Sequence, residues 1–430
     1  MKLTLNQEVV VNNTKYIVAQ VFGEGGQGEV YLVKSDTNEY ALKLYKDVPS
    51  DDFLYNLKEN IFKGSPCNTF IWPKEFVQLD NNTYGYIMDV RPNRFKSFVK
   101  YLNGAVKFKD TKVMIRFCIQ LCQSFKKLHE MGYSYQDLND GSFFFDPDNG
   151  DLLICDNDNV TANKKNLGIL GKMRYMAPEI VRGEEMPDVH SDRFSLAIIL
   201  FLTLCLGNPF EGERLKDYDF IDEVAEFEMF GKNPIYVYHK DNCSNRPIRG
   251  YHQALLKRYP LLPLYIKEAF HKTFVDGLKD RENQRVTELE WLKLLTKYRD
   301  ELIKCSCGNL YAYGLYETNQ IRNCPYCNQA KPSRARLIVN KRYVLLDLHS
   351  NIYKDAIDKY SNEYDTVIGS VIQSKNNQNI WGIKLQSDKD IDIKDSSGNV
   401  KTISKSNCVI PILSDLKIKF SDETAGQIKR

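Results

Sequence analysis

The chain has 430 residues, of which 43% are hydrophobic and 27% are charged, and its formal net charge is +3. This length exceeds what one compact core supports, so we expect two or three domains. The charge balance gives no reason to expect a polyanionic partner. The first residues lack a charged leader before a long apolar core, and the longest apolar run, 196–206, is roughly half a membrane span. We therefore expect a cytoplasmic protein without a membrane partner.

The first 90 residues alternate between strand-like and helix-like patterns. Residues 8–46 alternate apolar and polar positions between tight turns, which predicts strands, and 70–90 return to the same pattern. Residues 51–63 open with two acids and carry apolar side chains at helical spacing, which predicts a helix. After residue 90 the pattern turns helical, with the clearest helices predicted over 110–131, 191–206 and 262–276. A lobe of strands before a larger lobe of helices is an α+β arrangement with a cleft between the lobes.

A Gly-x-Gly-x-x-Gly-x-Val pattern lies among the first strands, and Lys43 follows it in a second strand-like segment. Glycines let backbone N–H groups approach phosphate oxygens closely, and a lysine supplies a positive charge to them. An ordinary Gly-rich hairpin turn is the alternative interpretation of the glycines alone. The residues of this pattern are Gly23, Gly25, Gly26, Gly28 and Val30.

Two acidic residues flank a short predicted hairpin in the helical part. Asp137 precedes the apolar strand 143–145, and Asp156 follows the second strand, 152–154, after a Pro-Asp-Asn-Gly turn. A hairpin of this kind can hold a general base and a metal ligand close together. The alternative interpretation is that both acids are ordinary turn residues exposed to solvent. The Phe, Leu and Ile residues beside them make that interpretation less suitable.

Taken in order, these motifs and two later ones resemble a eukaryotic-type protein kinase domain over residues 16 to about 297. The later motifs are Ala177-Pro178-Glu179 and the segment that begins at Asp192. The resemblance implies a two-lobed kinase fold. It also implies that Glu179 pairs with Arg285 and that Asp192 ties a buried helix to the catalytic loop.

The resemblance also implies roles in ATP binding and catalysis. The Gly loop would cover the ATP phosphates, Lys43 would hold the α- and β-phosphates, and Glu59 would be its ion-pair partner, with Glu75 as second choice. Asp137 would take the substrate hydroxyl proton, and Asp156 would bind Mg²⁺ (or Mn²⁺). The implied ATP-contacting set is Gly23, Gly25, Gly26, Gly28, Val30, Ala41, Lys43, Glu59, Met88, Val90, Asn139, Ser142 and Asp156.

Several positions depart from the kinase pattern. Gln136 stands where an Arg would receive a phosphorylated activation loop, so we expect no control by loop phosphorylation. Within 159–178 the one Ser or Thr is Thr161, which agrees. Asn139 and Ser142 replace the usual Lys and Asn, and under this interpretation Asn139, Ser142 or Asp158 supplies further Mg²⁺ ligands.

A narrower resemblance accounts for these departures together. Gly64-Ser65-Pro66, Phe70-Ile71-Trp72-Pro73, Tyr135-Gln136-Asp137 and the run Cys155 to Val160 are similar to a bacterial branch of kinases. That branch is associated with von Willebrand A-domain proteins and a metal-dependent Ser/Thr phosphatase in tellurite or stress-resistance modules. The resemblance implies a protein substrate or partner from such a module.

Four cysteines cluster after the kinase-like region. Cys305 and Cys307 form one short pair, and Cys324 and Cys327 form the second, with Gly308 and Pro325 beside them. Two such pairs can place four thiolates around one structural Zn²⁺. Two disulfides are the alternative, but such short rings are strained and the composition favours a reducing compartment.

The residues after 335 alternate as short strands do and predict a small β-sandwich or barrel. Its second half is reminiscent of a forkhead-associated domain but lacks the side chains that read phosphothreonine. The basic residues after the cysteines do not interleave with aromatic ones, which disfavours a nucleic-acid partner. These residues are Lys331, Arg334, Arg336, Lys341 and Arg342.

The sequence thus predicts an ATP- and Mg²⁺-dependent Ser/Thr-type protein kinase with four parts. These are a kinase N-lobe at 1–90, a C-lobe at 91–303, a zinc ribbon at 304–335 and a β-domain at 336–430. A nucleotide-binding pseudokinase scaffold is one alternative. It is favoured by Asn139, Ser142 and Lys172, which stand where the kinase pattern has other residues. Transfer of AMP, phosphorylation of a small molecule, and a ribbon-led nucleic-acid binder are the others.

Overall fold

The computed structural model describes residues 2–36, 38–80, 82–168, 171–316 and 322–430. Two compact units make up the chain. Unit 1 consists of Met1–Lys109, Gln120–Leu256 and Ala269–Leu289, and unit 2 of Asp110–Ile119, Lys257–Glu268 and Glu290–Arg430. In the part of the chain that is described, no helix is long and apolar enough to span a membrane.

Unit 1 begins with a six-stranded antiparallel sheet in the order β1-β2-β3-β4-β6-β5. Alternating buried side chains such as Val9, Val11, Val18 and Val33 form its inner face, as the period of two predicts. The predicted strands in 8–46 and 70–90 are confirmed. The strands are β1 (Glu8–Val11), β2 (Thr14–Glu24), β3 (Gly28–Ser35), β4 (Asn38–Tyr45), β5 (Glu75–Asp80) and β6 (Thr83–Asp89).

Helix α1 (Asp51–Lys63) lies between β4 and β5 and confirms the predicted helix over 51–63. Ser50 caps its first turn by accepting a 3.3 Å hydrogen bond from the Phe53 backbone N–H, and Asp51 lies in that turn. Gly64 ends the helix with a φ of 76°, a conformation that favours glycine. The apolar residues Leu54 and Leu57 are buried.

The helical part carries the predicted long helices within two residues of their expected ends. Asp188 caps α5 by accepting from the Ser191 backbone N–H at 2.9 Å, and the Ser191 hydroxyl accepts from the Asp188 backbone N–H at 2.8 Å. A π-helix, Phe227–Lys232, continues α6. The helices are α2 (Phe98–Leu102), α3 (Thr111–Glu130), α4 (Pro178–Val181), α5 (Val189–Cys205), α6 (Glu223–Glu226), α7 (Gln253–Arg258), α8 (Leu264–Phe274) and α9 (Glu288–Asp300).

The predicted hairpin between the two acids is confirmed. Strand β9 (Phe143–Phe145) pairs antiparallel with β10 (Leu152–Ile154), and β7 (Lys96–Ser97) adds a third strand beside β9. A second small ladder pairs β8 (Tyr133–Ser134) with β11 (Thr161–Ala162). These two ladders fix the backbone on both sides of Asp137 and Asp156.

Unit 2 contains a two-stranded antiparallel ladder, Leu302–Lys304 with Leu310–Ala312, and two larger antiparallel sheets that share one core. The larger has the order β15-β14-β23-β22-β19-β20, and the smaller has the order β16-β17-β18-β21. The strands are β12 (Leu302–Lys304), β13 (Leu310–Ala312), β14 (Ala335–Val339), β15 (Arg342–Leu346), β16 (Asn351–Tyr353), β17 (Val367–Gln373), β18 (Trp381–Leu385), β19 (Ile391–Lys394), β20 (Val400–Ile403), β21 (Val409–Pro411), β22 (Lys417–Lys419) and β23 (Ala425–Lys429), with helix α10 (Lys354–Ile357) after β16. The short strands expected after residue 335 are present.

A buried network of arginines and aspartates lies within unit 2. Arg299, at the end of α9, donates to Asp300 at 3.0 Å and to Asp355 at 3.0 Å. Arg342 on β15 donates to the second Asp355 oxygen at 2.7 Å and also contacts Asp300. Charge-assisted hydrogen bonds therefore join the end of helix α9 to β15 and α10.

Candidate active site

The Gly loop closes a tight turn between β2 and β3. The Gly25 backbone N–H donates to the Gly28 carbonyl at 2.8 Å, and the Lys46 N–H donates to the Gln27 carbonyl at 3.0 Å. A Cβ on Gly28 would lie 2.3 Å from the Leu44 carbonyl oxygen, so this position requires glycine. Gly23, Gly25 and Gly26 have no comparable steric requirement.

Strand pairing places the predicted ATP-contacting residues on one face of the sheet. Val30 pairs with Lys43, and Ala41 pairs with Met88. Because directly opposite residues share a face and alternate residues return to it, Val30, Ala41, Lys43 and Met88 line one side together. Val90 follows the end of β6. This face carries the apolar side chains of Val30, Ala41 and Met88 beside the lysine.

Lys43 is almost fully buried and lies against two carboxylates. Its Nζ is 2.9 Å from Asp158 Oδ2, 3.2 Å from Asp158 Oδ1 and 3.7 Å from Asp156 Oδ1. Burial disfavours the Lys43 charge, but Asp158 and Asp156 outweigh that effect and raise its pKa. Lys43 therefore stays charged at every physiological pH.

Asp158 is fully buried and all of its described contacts are made within unit 1. Tyr45 donates to its Oδ2 at 2.8 Å, and Tyr86 donates to its Oδ1 at 3.1 Å. Burial, followed by the Asp158 charge, raises the pKa of both tyrosines well above 10. With both oxygens occupied by Lys43 and the tyrosines, Asp158 is poorly placed to serve as the Mg²⁺ ligand expected from the sequence.

Glu59 does not contact Lys43 in the described structure, which corrects the expected ion pair. Its carboxylate is 41% exposed and lies 3.9 Å from Lys63. The reason is the orientation of α1: the side chains of Asn56 and Asn60 face inward and each donates to the Val160 carbonyl at 2.8 Å. Glu75, the second choice, instead accepts from Tyr16 at 3.3 Å.

Asp156 lies in the left-handed region, with φ of 57° and ψ of 42°, at the start of the turn 157–159. Such a conformation is costly for a residue other than glycine and is commonest at functional sites. Asn157 holds the turn by donating to the carbonyls of Ile71 at 2.7 Å and Ile154 at 2.9 Å. The Asp156 carboxylate remains 52% exposed beside Lys43.

Asp137 lies at the other side of the hairpin. Asn139 donates from Nδ2 to Asp137 Oδ1 at 2.9 Å, and its own Oδ1 accepts from the Gly141 N–H at 2.9 Å. Burial raises the pKa of Asp137, and the Asn139 hydrogen bond opposes the rise. Ser142 is buried, and its carbonyl accepts from the Cys155 N–H at 2.8 Å.

Gln136 contacts the chain segment that follows the second acid. Its φ is 68°, and its Nε2 donates to Thr161 Oγ1 at 2.6 Å and also to the Lys165 carbonyl. Thr161 is fully buried. A neutral amide thus holds this segment of the chain. Ile169 and Leu170, within the predicted segment 159–178, lie outside the described residues.

A cavity of about 450 Å³ opens between the Gly loop and Asp137. Gln27, Asp137 and Gly168 line it, together with Ser50 and Phe53 at the start of α1. Gln27 accepts from Lys43 Nζ at 3.3 Å and donates to Asn159 at 3.2 Å. The cavity therefore has a residue of the Gly loop on one side and a carboxylate on the other.

Two supporting contacts predicted from the sequence are confirmed. Arg285 donates to both oxygens of Glu179, at 2.7 and 2.8 Å. Asp192 Oδ2 accepts from the Tyr135 backbone N–H at 2.7 Å and lies 3.1 Å from His129 Nε2. The backbone that precedes Asp137 is thereby fixed to α5.

The four clustered cysteines come together in unit 2. Their sulfur atoms all lie within 4.8 Å of one another, with Cys305–Cys327 at 3.5 Å and Cys307–Cys324 at 3.9 Å, and none forms a disulfide. Tetrahedral Zn²⁺ with Zn–S bonds of ~2.3 Å separates its thiolates by ~3.8 Å, so these distances fit zinc. Residues 317–321, inside the predicted ribbon, lie outside the described residues.

Several contacts in this site were not expected from the sequence. Tyr45 is two positions from Lys43 on one strand, and Tyr86 pairs with Lys43 across the sheet, so alternation could have placed both beside it. Gln27, Asn56 and Asn157 carry no local pattern that identifies them. Their roles depend on residues far away in the sequence.

Comparison with known proteins agrees with this arrangement. Residues 16–293 match the family model described as "Protein kinase domain". Serine/threonine-protein kinase AtPK2/AtPK19 of Arabidopsis thaliana is 27% identical over 249 residues, which cover 56% of this chain and 52% of that protein.

Two further relatives are similar at lower coverage. Probable serine/threonine-protein kinase PknB of Bifidobacterium longum is 24% identical over 49% of this chain and 33% of its own length. Ribosomal protein S6 kinase alpha-4 of Mus musculus is 25% identical over 48% and 28%. The chain thus spans about half or less of the length of these curated relatives.

Proposed function

Because this chain belongs to the protein kinase domain family, we propose that it is an ATP-dependent Ser/Thr-type protein kinase. It would transfer the γ-phosphoryl group of ATP to a hydroxyl group of a protein. The observation that carries the proposal is the convergence of Lys43, Asp137 and Asp156 around the Gly loop. Two of the three relatives compared are serine/threonine-protein kinases by name, which supports the same substrate class.

ATP would bind with its adenine against the apolar face of Val30, Ala41 and Met88 and its phosphates under the Gly loop. Backbone N–H groups of the loop and the Lys43 ammonium would neutralise phosphate charge, which is the main protein contribution to this reaction. Gln27 bridges Lys43 and Asn159 and would have to move when the phosphates enter.

A divalent cation, Mg²⁺ or Mn²⁺, suits the half-exposed carboxylate of Asp156, because hard cations prefer oxygen ligands and a phosphate-facing open side. When bound, such a cation would neutralise negative charge on the phosphates of ATP. Asp156 would hold it, with Asn139 and Ser142 as less favourable candidates since Asn139 is engaged with Asp137 and Ser142 is buried.

Asp137 would accept or orient the proton of the substrate hydroxyl. Its carboxylate faces the cavity below the Gly loop, and Asn139 holds one of its oxygens. The Asn139 hydrogen bond fixes the side chain without neutralising it, so the carboxylate would be able to accept a hydroxyl proton.

We also propose a structural Zn²⁺ on Cys305, Cys307, Cys324 and Cys327, supported by the sulfur separations. All four positions would be filled by protein, so the ion would stabilise the fold and have no open site for chemistry. The domain limits at residues 90, 303 and 335, and a cytoplasmic location, remain proposals. So does a substrate or partner from a von Willebrand A-domain and phosphatase module, which depends on the sequence resemblance alone.

Incubation of the full chain with γ-labelled ATP and Mg²⁺ tests the function. We expect label in the protein itself or in a candidate substrate, and a loss of at least ~100-fold for Asp137→Asn. If ATP raises the melting temperature but no label is transferred, the chain is a nucleotide-binding scaffold. If label comes from α-labelled ATP instead, it transfers AMP.

A further inference from the structure

We propose that Asp158 is the positioning residue for Lys43, replacing the helix glutamate on which the kinase pattern relies. The proposal depends on the proposed function because it concerns the same ATP site. It follows from the contacts of Lys43, which include two hydrogen bonds to Asp158 and none to Glu59 in the described structure.

The geometry of Asp158 suits a fixed counter-ion. Its side chain is 0% exposed, and its two oxygens accept four hydrogen bonds: two from Lys43 and one each from Tyr45 and Tyr86. Hydrogen bonds from the two tyrosines hold the carboxylate against the Lys43 ammonium. A buried lysine of this kind needs such a partner, since an unpaired buried charge is very costly.

The geometry of α1 explains why the helix cannot supply this carboxylate. Asn56 and Asn60 occupy successive turns of its inner face and bond the Val160 carbonyl. Glu59 is on another side of the helix, 41% exposed and near Lys63. Helix α1 therefore binds the backbone that follows Asp158 and, in the described structure, does not contact Lys43 directly.

The two acids of the segment Asp156-Asn157-Asp158 consequently have different roles. Asp156 remains half exposed and open to a cation, whereas Asp158 is enclosed and holds the lysine. Both lie on one rigid turn, which Asn157 pins to two backbone carbonyls. The position of Lys43 is thus set by the same turn that carries the cation ligand, without involvement of a helix carboxylate.

Binding of a non-hydrolysable ATP analogue to the full chain, measured by calorimetry with Mg²⁺ present, tests the proposal. We expect Asp158→Asn to weaken binding at least ~10-fold, and Tyr45→Phe and Tyr86→Phe to weaken it less. Glu39→Gln, which changes an exposed acid on the same strand, is the matched control and should bind as wild type does. Thermal melting of each variant identifies any that is unfolded.

A double-mutant cycle separates positioning from general destabilisation. In a Lys43→Met chain, Asp158→Asn should weaken binding no further, because its only route to the nucleotide is through the lysine. Equal additional weakening in both backgrounds would overturn the proposal, as would strong loss from Glu59→Gln with none from Asp158→Asn. If wild type itself does not bind the analogue, the proposed function fails instead.

Discussion

Arg285 and Glu179 form a buried, two-pronged ion pair, with Nη1–Oε1 and Nη2–Oε2 distances of 2.7 and 2.8 Å. Arg285 is 1% exposed, so removal of its partner would leave an uncompensated charge in the protein interior. We expect Glu179→Gln to lower the free energy of unfolding by about 3–5 kcal/mol. Denaturant titration measures this loss. Glu184→Gln, in an exposed pair with Arg182, should be nearly silent, and equal effects of both variants would contradict the prediction.

The hydrogen bond from Asn139 to Asp137 should matter for turnover more than for nucleotide binding. Asn139→Ala removes the one side-chain donor described for the Asp137 carboxylate, so the base would be less well oriented. We expect kcat to fall about 10-fold, with the KM for ATP changed less than twofold. Steady-state assays of wild type and variant measure both, and a large rise in the KM for ATP would contradict this role.

Gln136 should make activity independent of activation-segment phosphorylation. Its amide already bonds Thr161 and the Lys165 carbonyl, and Thr161 is fully buried. We expect treatment with a broad-specificity protein phosphatase to leave wild-type activity unchanged, and Gln136→Ala to lower it several-fold. Mass spectrometry of active protein should detect no phosphate on Thr161. Loss of activity on phosphatase treatment would refute the prediction.

His129 should make stability depend on pH. Burial disfavours its charge, but hydrogen bonds to Asp192 and Glu288 outweigh burial and raise its pKa to about 9. A raised pKa stabilises the fold fully below about pH 6.5, and this contribution is lost as pH rises through 9. The same contact lowers the pKa of Glu288 to about 2, against the effect of burial, so its contribution is lost only as pH falls from about 4.5 to 2.

Melting temperatures of wild type and His129→Gln between pH 6 and 10 test this assignment. The wild-type advantage should shrink above pH 6.5, since the stabilisation at stake is on the order of 3 kcal/mol. A difference between the two proteins that stays constant across this range would show that His129 is not the titrating group.

The cysteine cluster should bind one zinc ion per chain. Metal analysis of freshly reduced protein should find it, and a strong chelator should remove it and lower the melting temperature. Cys307→Ser should lower the zinc content, whereas Cys243→Ser, outside the cluster, should retain it. Protein purified without zinc but with an unchanged melting temperature would argue for another role of the cysteines.

Local pattern predicted much of this fold because its main elements have strong periodicity. Helix α1, the long helices and the Phe143–Ile154 hairpin follow directly from apolar spacing and turn residues. Strand β20 is hard to recognise from the sequence, because its side chains are mostly exposed with no alternation to detect and, among the described residues, it pairs with β19 alone. Such a strand is defined by its neighbour more than by its own sequence.

The partner of Lys43 could not be predicted from the sequence. Glu59 was inferred from its place on a helix, but the rotation of that helix depends on how Asn56 and Asn60 meet Val160, about 100 residues away. Asp158 is separated from Lys43 by 115 residues. Those groups come together when the chain folds, and no local periodicity of the sequence indicates that contact.

The family match ends at residue 293, inside α9, yet that helix continues to Arg299 and Asp300. Those two residues are held by Arg342 and Asp355 of the C-terminal part, and Arg116 on α3 is likewise 3.3 Å from Asp365. The C-terminal region therefore cannot be replaced by another domain without loss of these contacts. Any replacement would have to keep the same two aspartates and one arginine facing these helices. At these positions, a sequence change in one region therefore requires a matching change in the other.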